Sequence, residues 1–138
     1  METCGNAGRF RYSSRRDAIS QARDVVGALV CINKSGYEQV SGDVVWSSGR
    51  QMGYLRLSGL PVNNPARSQY QLWIVDAHRD GYPVSGGLFD VMNDDEMIIP
   101  VDPYLPVYRP TAFAVTLEKS GGVVVSDGPM LLVAAIGD

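Results

Sequence analysis

Asp76, His78 and Ser85 stand in one short stretch, "DAHRDGYPVS", and supply the three residue types of a hydrolytic triad: an orienting acid, a base and a nucleophile. His78 is the only histidine in the chain. The sequence contains no nucleophile elbow to raise a serine on a strained turn, so these residue types predict a solvated loop histidine. Asp76, Asp90 and Glu118 fall at predicted strand ends and are candidates for a pair of glycosidase carboxylates, but that chemistry needs two of them facing across a cleft, which chain spacing does not define. One histidine and the two scattered cysteines, Cys4 and Cys31, give too few soft ligands for zinc or copper. "MNDDEM" at 92–97 gathers carboxylates without the spaced oxygens and glycine of a calcium loop, and reads as a hairpin turn. "KSGGVVVSDG" at 119–128 is glycine-rich, but no helix follows to present amides to a phosphate. The sequence therefore assigns no catalytic, cofactor-binding or metal-binding residues, and the domain is expected to be non-enzymatic.

Recognition chemistry is better represented. "AHRDGYP" carries His78, Arg79 and Tyr82, and "DPYLPVYRP" carries Tyr104, Tyr108 and Arg109, all in segments rich in turn formers. Tyrosine and arginine are common anchors of interfaces, so these six residues form the candidate interaction surface, against the alternative that the proline-locked loops only close the ends of the fold. A second reading is a carbohydrate- or cell-surface-binding module with Trp46, Trp73 and Tyr82 as stacking platforms.

The elements that must position these residues read as strands. The chain has 138 residues, 45% of them hydrophobic, enough for one domain with a core. Its net charge of −3, with both signs interspersed, offers no basic face for a phosphate backbone, so nucleic acid is not an expected partner. Residues 1–23 are expected to be a flexible lead-in followed by a short helix over about 14–23, where Ser14 and Asp17 fit a helix start. Residues 24–138 form the β domain. "DVVGALVCI" at 24–32 is apolar on both faces and suits a buried strand; it is too short to span a membrane, which takes about 20 apolar residues. "METCGNAGRFRYSSRR" carries no readable secretory signal. Cys4 and Cys31 either pair in an oxidising compartment or remain separate thiols, and Asn33-Lys34-Ser35 is a sequon that matters only in a glycosylating host.

From residue 37 onward, short β-rich runs alternate with Gly, Pro, Asn and Asp: "YEQVSGDVVWS", "QMGYLRLSG", "QYQLWIVD", "VSGGLFDV", "EMIIPV", "TAFAVTLEK" and "MLLVAAI". About eight strands at this spacing predict an all-β fold, a two-sheet antiparallel β-sandwich with a short N-terminal helix. In "GYLRLSG" the alternation places Leu55 and Leu57 on a buried face and Tyr54, Arg56 and Ser58 on a solvated one. "QYQLWIVD" is apolar on both faces, Tyr70, Leu72 and Ile74 on one and Gln71, Trp73 and Val75 on the other. It predicts an interior strand whose second face is covered by a loop, the N-terminal helix or another protein.

The order of these segments is informative. Gly59-Leu60-Pro61, Tyr70-Gln71-Leu72-Trp73, Pro83-Val84-Ser85, Gly87-Leu88-Phe89, Ala114-Val115-Thr116-Leu117-Glu118, Gly121-Gly122 and Gly128-Pro129 follow one another. Together they resemble the C-terminal, extracytoplasmic domain of the anti-sigma-K factor family of bacteria. The likeness covers about 24–136 and departs where the family often has Glu-Pro before its Gly-Gly and this chain has Glu118-Lys119-Ser120. The resemblance implies a membrane-anchored anti-sigma factor. Its cytoplasmic segment holds an extracytoplasmic-function sigma factor, a transmembrane helix outside this fragment anchors it, and regulated proteolysis releases the sigma factor. The domain itself would then lie on the outer face of the bacterial inner membrane, with regulatory proteases or an envelope ligand as partners, and 14–23 would be a stalk or simply an N-terminal helix.

Overall fold

A computed structural model describes residues 25–28, 30–31, 37–79, 81–93, 95–126 and 128–136, the first two ranges by backbone alone. The predicted helix over 14–23 and the pairing of Cys4 with Cys31 fall outside the described residues. Among the described residues nine strands are formed: β1 (Val25–Ala28), β2 (Val30–Cys31), β3 (Ser41–Ser47), β4 (Met52–Ser58), β5 (Ser68–Asp76), β6 (Val84–Phe89), β7 (Met97–Val101), β8 (Pro110–Lys119) and β9 (Leu132–Ala135). They make two antiparallel sheets, ordered β1-β3-β4-β7 and β2-β9-β8-β5-β6. The all-β sandwich is as the sequence predicts. The extra strand arises because "DVVGALVCI" divides: Val25–Ala28 pair with Trp46–Asp43 in one sheet, and Val30–Cys31 with Val133–Leu132 in the other. A run apolar on both faces gives no periodic signal of where it passes between sheets.

The core lies between the sheets and is built by period-two alternation. β3 contributes Val44 and Trp46, β4 Leu55 and Leu57, β5 Tyr70, Leu72 and Ile74, β8 Phe113 and Val115, and β9 Leu132 and Ala134. The rings of Trp46 and Phe113 meet across the sandwich at 6.1 Å, and Tyr70 stacks on Phe89 at 5.6 Å. The Gly-Leu-Pro turn locks one end. Gly59 sits at φ 83° with Gln39 O only 2.5 Å from where a Cβ would be, so no other residue fits this backbone. Leu60 enters the core, and the Tyr70 hydroxyl donates to Pro61 O at 2.8 Å. Burial, together with the neighbouring Tyr37, pushes the Tyr70 phenol far above its ordinary range, so it stays a neutral donor.

The outward face of β4 departs from expectation. Arg56 is fully buried, not solvated, and Tyr54 is buried beside Val45. Arg56 and Asp43 stand opposite each other in the β3–β4 register, and their side chains form an ion pair at 3.2 Å. A buried guanidinium is tolerable only with such a partner, which alternation along one strand cannot reveal. On β8, Leu117 is 38% exposed although it continues the Phe113–Val115 face, while Glu118 is 9% exposed.

Candidate interaction groove and its roof

β5 is flanked by β8 and β6, so its backbone is spent on both sides and only its two side-chain faces remain to be covered. Its outward face is roofed by the described part of the β8–β9 connection, residues 120–126 and 128–131, the first of the three covers the sequence allowed. Gln71 acts as a surrogate strand residue. Its Nε2 donates to Val123 O at 3.0 Å and its Oε1 accepts from Val123 N at 3.0 Å, while Nε2 also reaches Ser85 Oγ at 2.9 Å. Two positions along, Trp73 Nε1 donates to Thr116 Oγ1 at 2.8 Å, and Thr116 Oγ1 donates to Glu118 Oε2 at 2.6 Å. Ser126 Oγ closes the chain on the same Glu118 oxygen. The roof is also tied down where it begins, by Gly121 N to Gln69 Oε1 at 2.9 Å, and where it ends, by Leu131 N to Val115 O at 2.8 Å.

Gly122 is where this roof comes closest to the sheet. It sits at φ 78°, and an added Cβ would lie 2.7 Å from Leu88 Cδ2 and 3.0 Å from Gln71 Oε1. Gly121, at φ 89°, faces open space. Gly121→Ala is therefore expected to cost only the left-handed strain of about 1–2 kcal/mol. Gly122→Ala should lose about 1–3 kcal/mol more through overpacking. Urea melts of the two variants check this, and equal losses would mean the roof gives way freely.

At one end of the sandwich, Asp76 organises two loops. Its carboxylate accepts from His78 N at 2.9 Å, Tyr108 N at 2.9 Å and Arg109 N at 3.0 Å, with Arg79 Nε 3.8 Å away. Desolvation pulls the Asp76 pKa up, but these three amides and Arg79 outweigh it and hold the carboxyl below its ordinary value. The His78 and Tyr108 rings meet at 4.7 Å, and Arg79 lies over the Tyr108 ring at 5.8 Å while donating to Pro106 O. Beside this hub, Asp102 N and Tyr104 N donate to Gly86 O and Ser85 O, fastening the β7–β8 connection to the edge of β6. A groove of about 350 Å³ opens between the loops, walled by Arg79, Tyr82, Tyr104, Leu105 and Val123–Val125.

The structure thus brings all six candidate surface residues to one end, with Arg79, Tyr82 and Tyr104 in the groove and His78, Tyr108 and Arg109 at the Asp76 hub. Leu105, Val124 and Val125 join them, and sequence reading missed these. The available signal was a run of three β-branched residues in a glycine-rich loop with no strand partner. The triad is not assembled: Ser85 Oγ accepts from Gln71, and Asp76 binds only the backbone N of His78, its oxygens filled by amides. The three candidate carboxylates are likewise spent on structure, Asp90 on Asn63 and Gln69, Glu118 on Thr116 and Ser126. In "MNDDEM", Asn93 Oδ1 accepts from Asp95 N at 2.9 Å, closing a turn. The stacking platforms of the carbohydrate reading are corrected outright: Trp46 is 0% and Trp73 2% exposed, leaving only Tyr82, at 70%, able to meet a sugar. Both indoles lie on faces that other elements cover, because each is far more valuable buried than as a platform.

Fold and site together define a β-sandwich whose most distinctive polar residues hold a roof loop in place. The sequence belongs to the family described as anti-sigma-K factor rskA, C-terminal, whose model matches residues 8–130. The chain is therefore a regulatory domain of the anti-sigma-factor class. No curated protein and no solved structure matches it. The segments that carry the likeness turn out to be one physical unit: Tyr70 binds Pro61, Gln71 binds Ser85 and Val123, Trp73 binds Thr116, and Gly122 packs on Leu88.

Proposed function

We propose that this chain is the extracytoplasmic regulatory domain of a membrane-anchored anti-sigma factor that controls an extracytoplasmic-function sigma factor through regulated proteolysis, and that the domain acts without catalysis. One observation carries the reading beyond family membership. The recognisable polar residues are consumed inside the fold, while Tyr82, Tyr104, Leu105 and Val124 are left outward around one groove, a surface built to be met by something else. Among the described residues no helix is long and apolar enough to cross a membrane. Envelope ligands or regulatory proteases are the partners this arrangement serves.

The test is made on the full gene product in its bacterium. Protease added outside the cytoplasmic membrane is expected to reach this domain, and deleting 37–136 is expected to change expression from a sigma-dependent promoter. A domain protected with the cytoplasm, or a promoter indifferent to the deletion, rejects the reading.

A further inference from the structure

The groove is large enough to hold part of a peptide, and its rim is unusually apolar for a free surface: Val124 is 88% exposed, Tyr82 70%, Tyr104 66% and Leu105 51%. Two polar features say what would cover it. The first is Arg79, whose side chain is 29% exposed. Its Nη2 and Nε donate to Pro106 O at 2.7 and 3.3 Å, which holds the guanidinium in place, and Nη1 makes no hydrogen bond among the described residues. Its counter-charge, Asp76, is 5% exposed with both oxygens filled by backbone amides, so the groove meets the cation and not the anion. The second is the backbone of the roof. Val123 gives both its polar groups to Gln71, whereas those of Val124 and Val125 make no hydrogen bond among the described residues.

We propose that this groove binds a peptide segment in which an apolar side chain stands next to an acidic one. The apolar side chain packs among Tyr82, Tyr104 and Leu105, the carboxylate takes the unused donors of Arg79, and the peptide main chain pairs with Val124 and Val125. A sugar is disfavoured by the lining, which holds no carboxylate or carboxamide side chain and whose Ser85 hydroxyl is engaged by Gln71. An anionic membrane surface is disfavoured because Arg79 is the single cation in the lining. The proposal adds a ligand class to the regulatory reading, and because it is measured on the purified full chain, either can fail without the other.

The probe is the acetylated, amidated tetrapeptide Val-Phe-Asp-Val, titrated into isotope-labelled protein and followed by amide chemical shifts, beside its Val-Phe-Asn-Val counterpart. Shifts are expected at 81–85, 104–105 and 123–125, with the Asp peptide binding about tenfold tighter than the Asn peptide. Val124→Asp and Val124→Lys alter a side chain that meets solvent, so both should keep the wild-type Tm, the first weakening and the second strengthening the Asp peptide several-fold. Arg79→Gln should erase the difference between the two peptides. Absence of shifts up to about 5 mM peptide, equal affinity for both peptides, or insensitivity to the charge at position 124 overturns the proposal. So does saturable binding of phosphatidylglycerol vesicles through these residues in place of peptide, which would assign the groove to a membrane.

Discussion

Trp73→Ala is expected to destabilise the domain by about 3–5 kcal/mol, the loss typical of a large aromatic truncated in a packed site. The indole is 2% exposed, although it lies on the face of β5 that points away from the sandwich core. It fills the space between β8 and the roof and touches the same small cavity as Thr116, Val125, Ser126 and Met130. Truncation opens that space and also takes from Thr116 Oγ1 the donor through which the indole is linked to Glu118 and from there to Ser126. Trp73→Phe keeps a buried aromatic ring but loses the N–H and part of the indole's volume, so it should cost less, about 1–3 kcal/mol. Urea denaturation followed by circular dichroism separates the two. A loss below about 1 kcal/mol for the alanine variant would mean the roof is not a structural part of the domain.

Asp76→Ala is the second large effect, expected to cost about 3 kcal/mol near neutral pH because it removes the acceptor for three backbone amides at once. The pH dependence identifies the cause. Folding depresses the Asp76 pKa, so the contribution of the carboxylate is complete above the unfolded value of about 3.9 and is lost as pH falls through the lower folded value. The stability gap between wild type and Asp76→Ala should therefore be largest at neutral pH, hold to about pH 4, and narrow below it. A gap that stayed constant into strong acid would show that packing around Asp76 matters and its charge does not. Asp76→Asn should fall between, since a carboxamide offers one acceptor oxygen and turns an N–H toward the remaining donors.

Much of the fold was legible because its signals are local. Seven of the β-rich runs became strands with ends within a few residues of the turn formers that bound them, since clusters of Gly, Pro, Asn and Asp between apolar runs favour turns over continued pairing. Alternation placed Leu55 and Leu57 in the core correctly. It failed for Arg56, because burial of a charge depends on Asp43 across the strand pair, a partner that only the register supplies. The sugar-platform reading of the two tryptophans failed for a different reason: it rested on residue type, which suits a platform as well as a core, whereas the two-faced apolar pattern of β5 had already placed Trp73 on a covered face.

Local pattern along the chain was enough for the β-sandwich, the interior position of β5, the family, and the two loops that carry His78, Arg79, Tyr82, Tyr104, Tyr108 and Arg109. Each of these rests on neighbours in the chain or on the order of short motifs. The folded chain was needed to show that "QYQLWIVD" is roofed by the Gly-Gly-Val-Val-Val loop and that Asp76 is a tether for backbone amides. It also decided that the two aromatic loops and the valines meet around one groove. Those facts depend on hydrogen bonds such as Gln71 to Val123 and Asp76 to Tyr108, whose partners lie 52 and 32 residues apart. Which of many polar groups a side chain meets at that distance is set by the closure of the two sheets, not by any pattern along the chain.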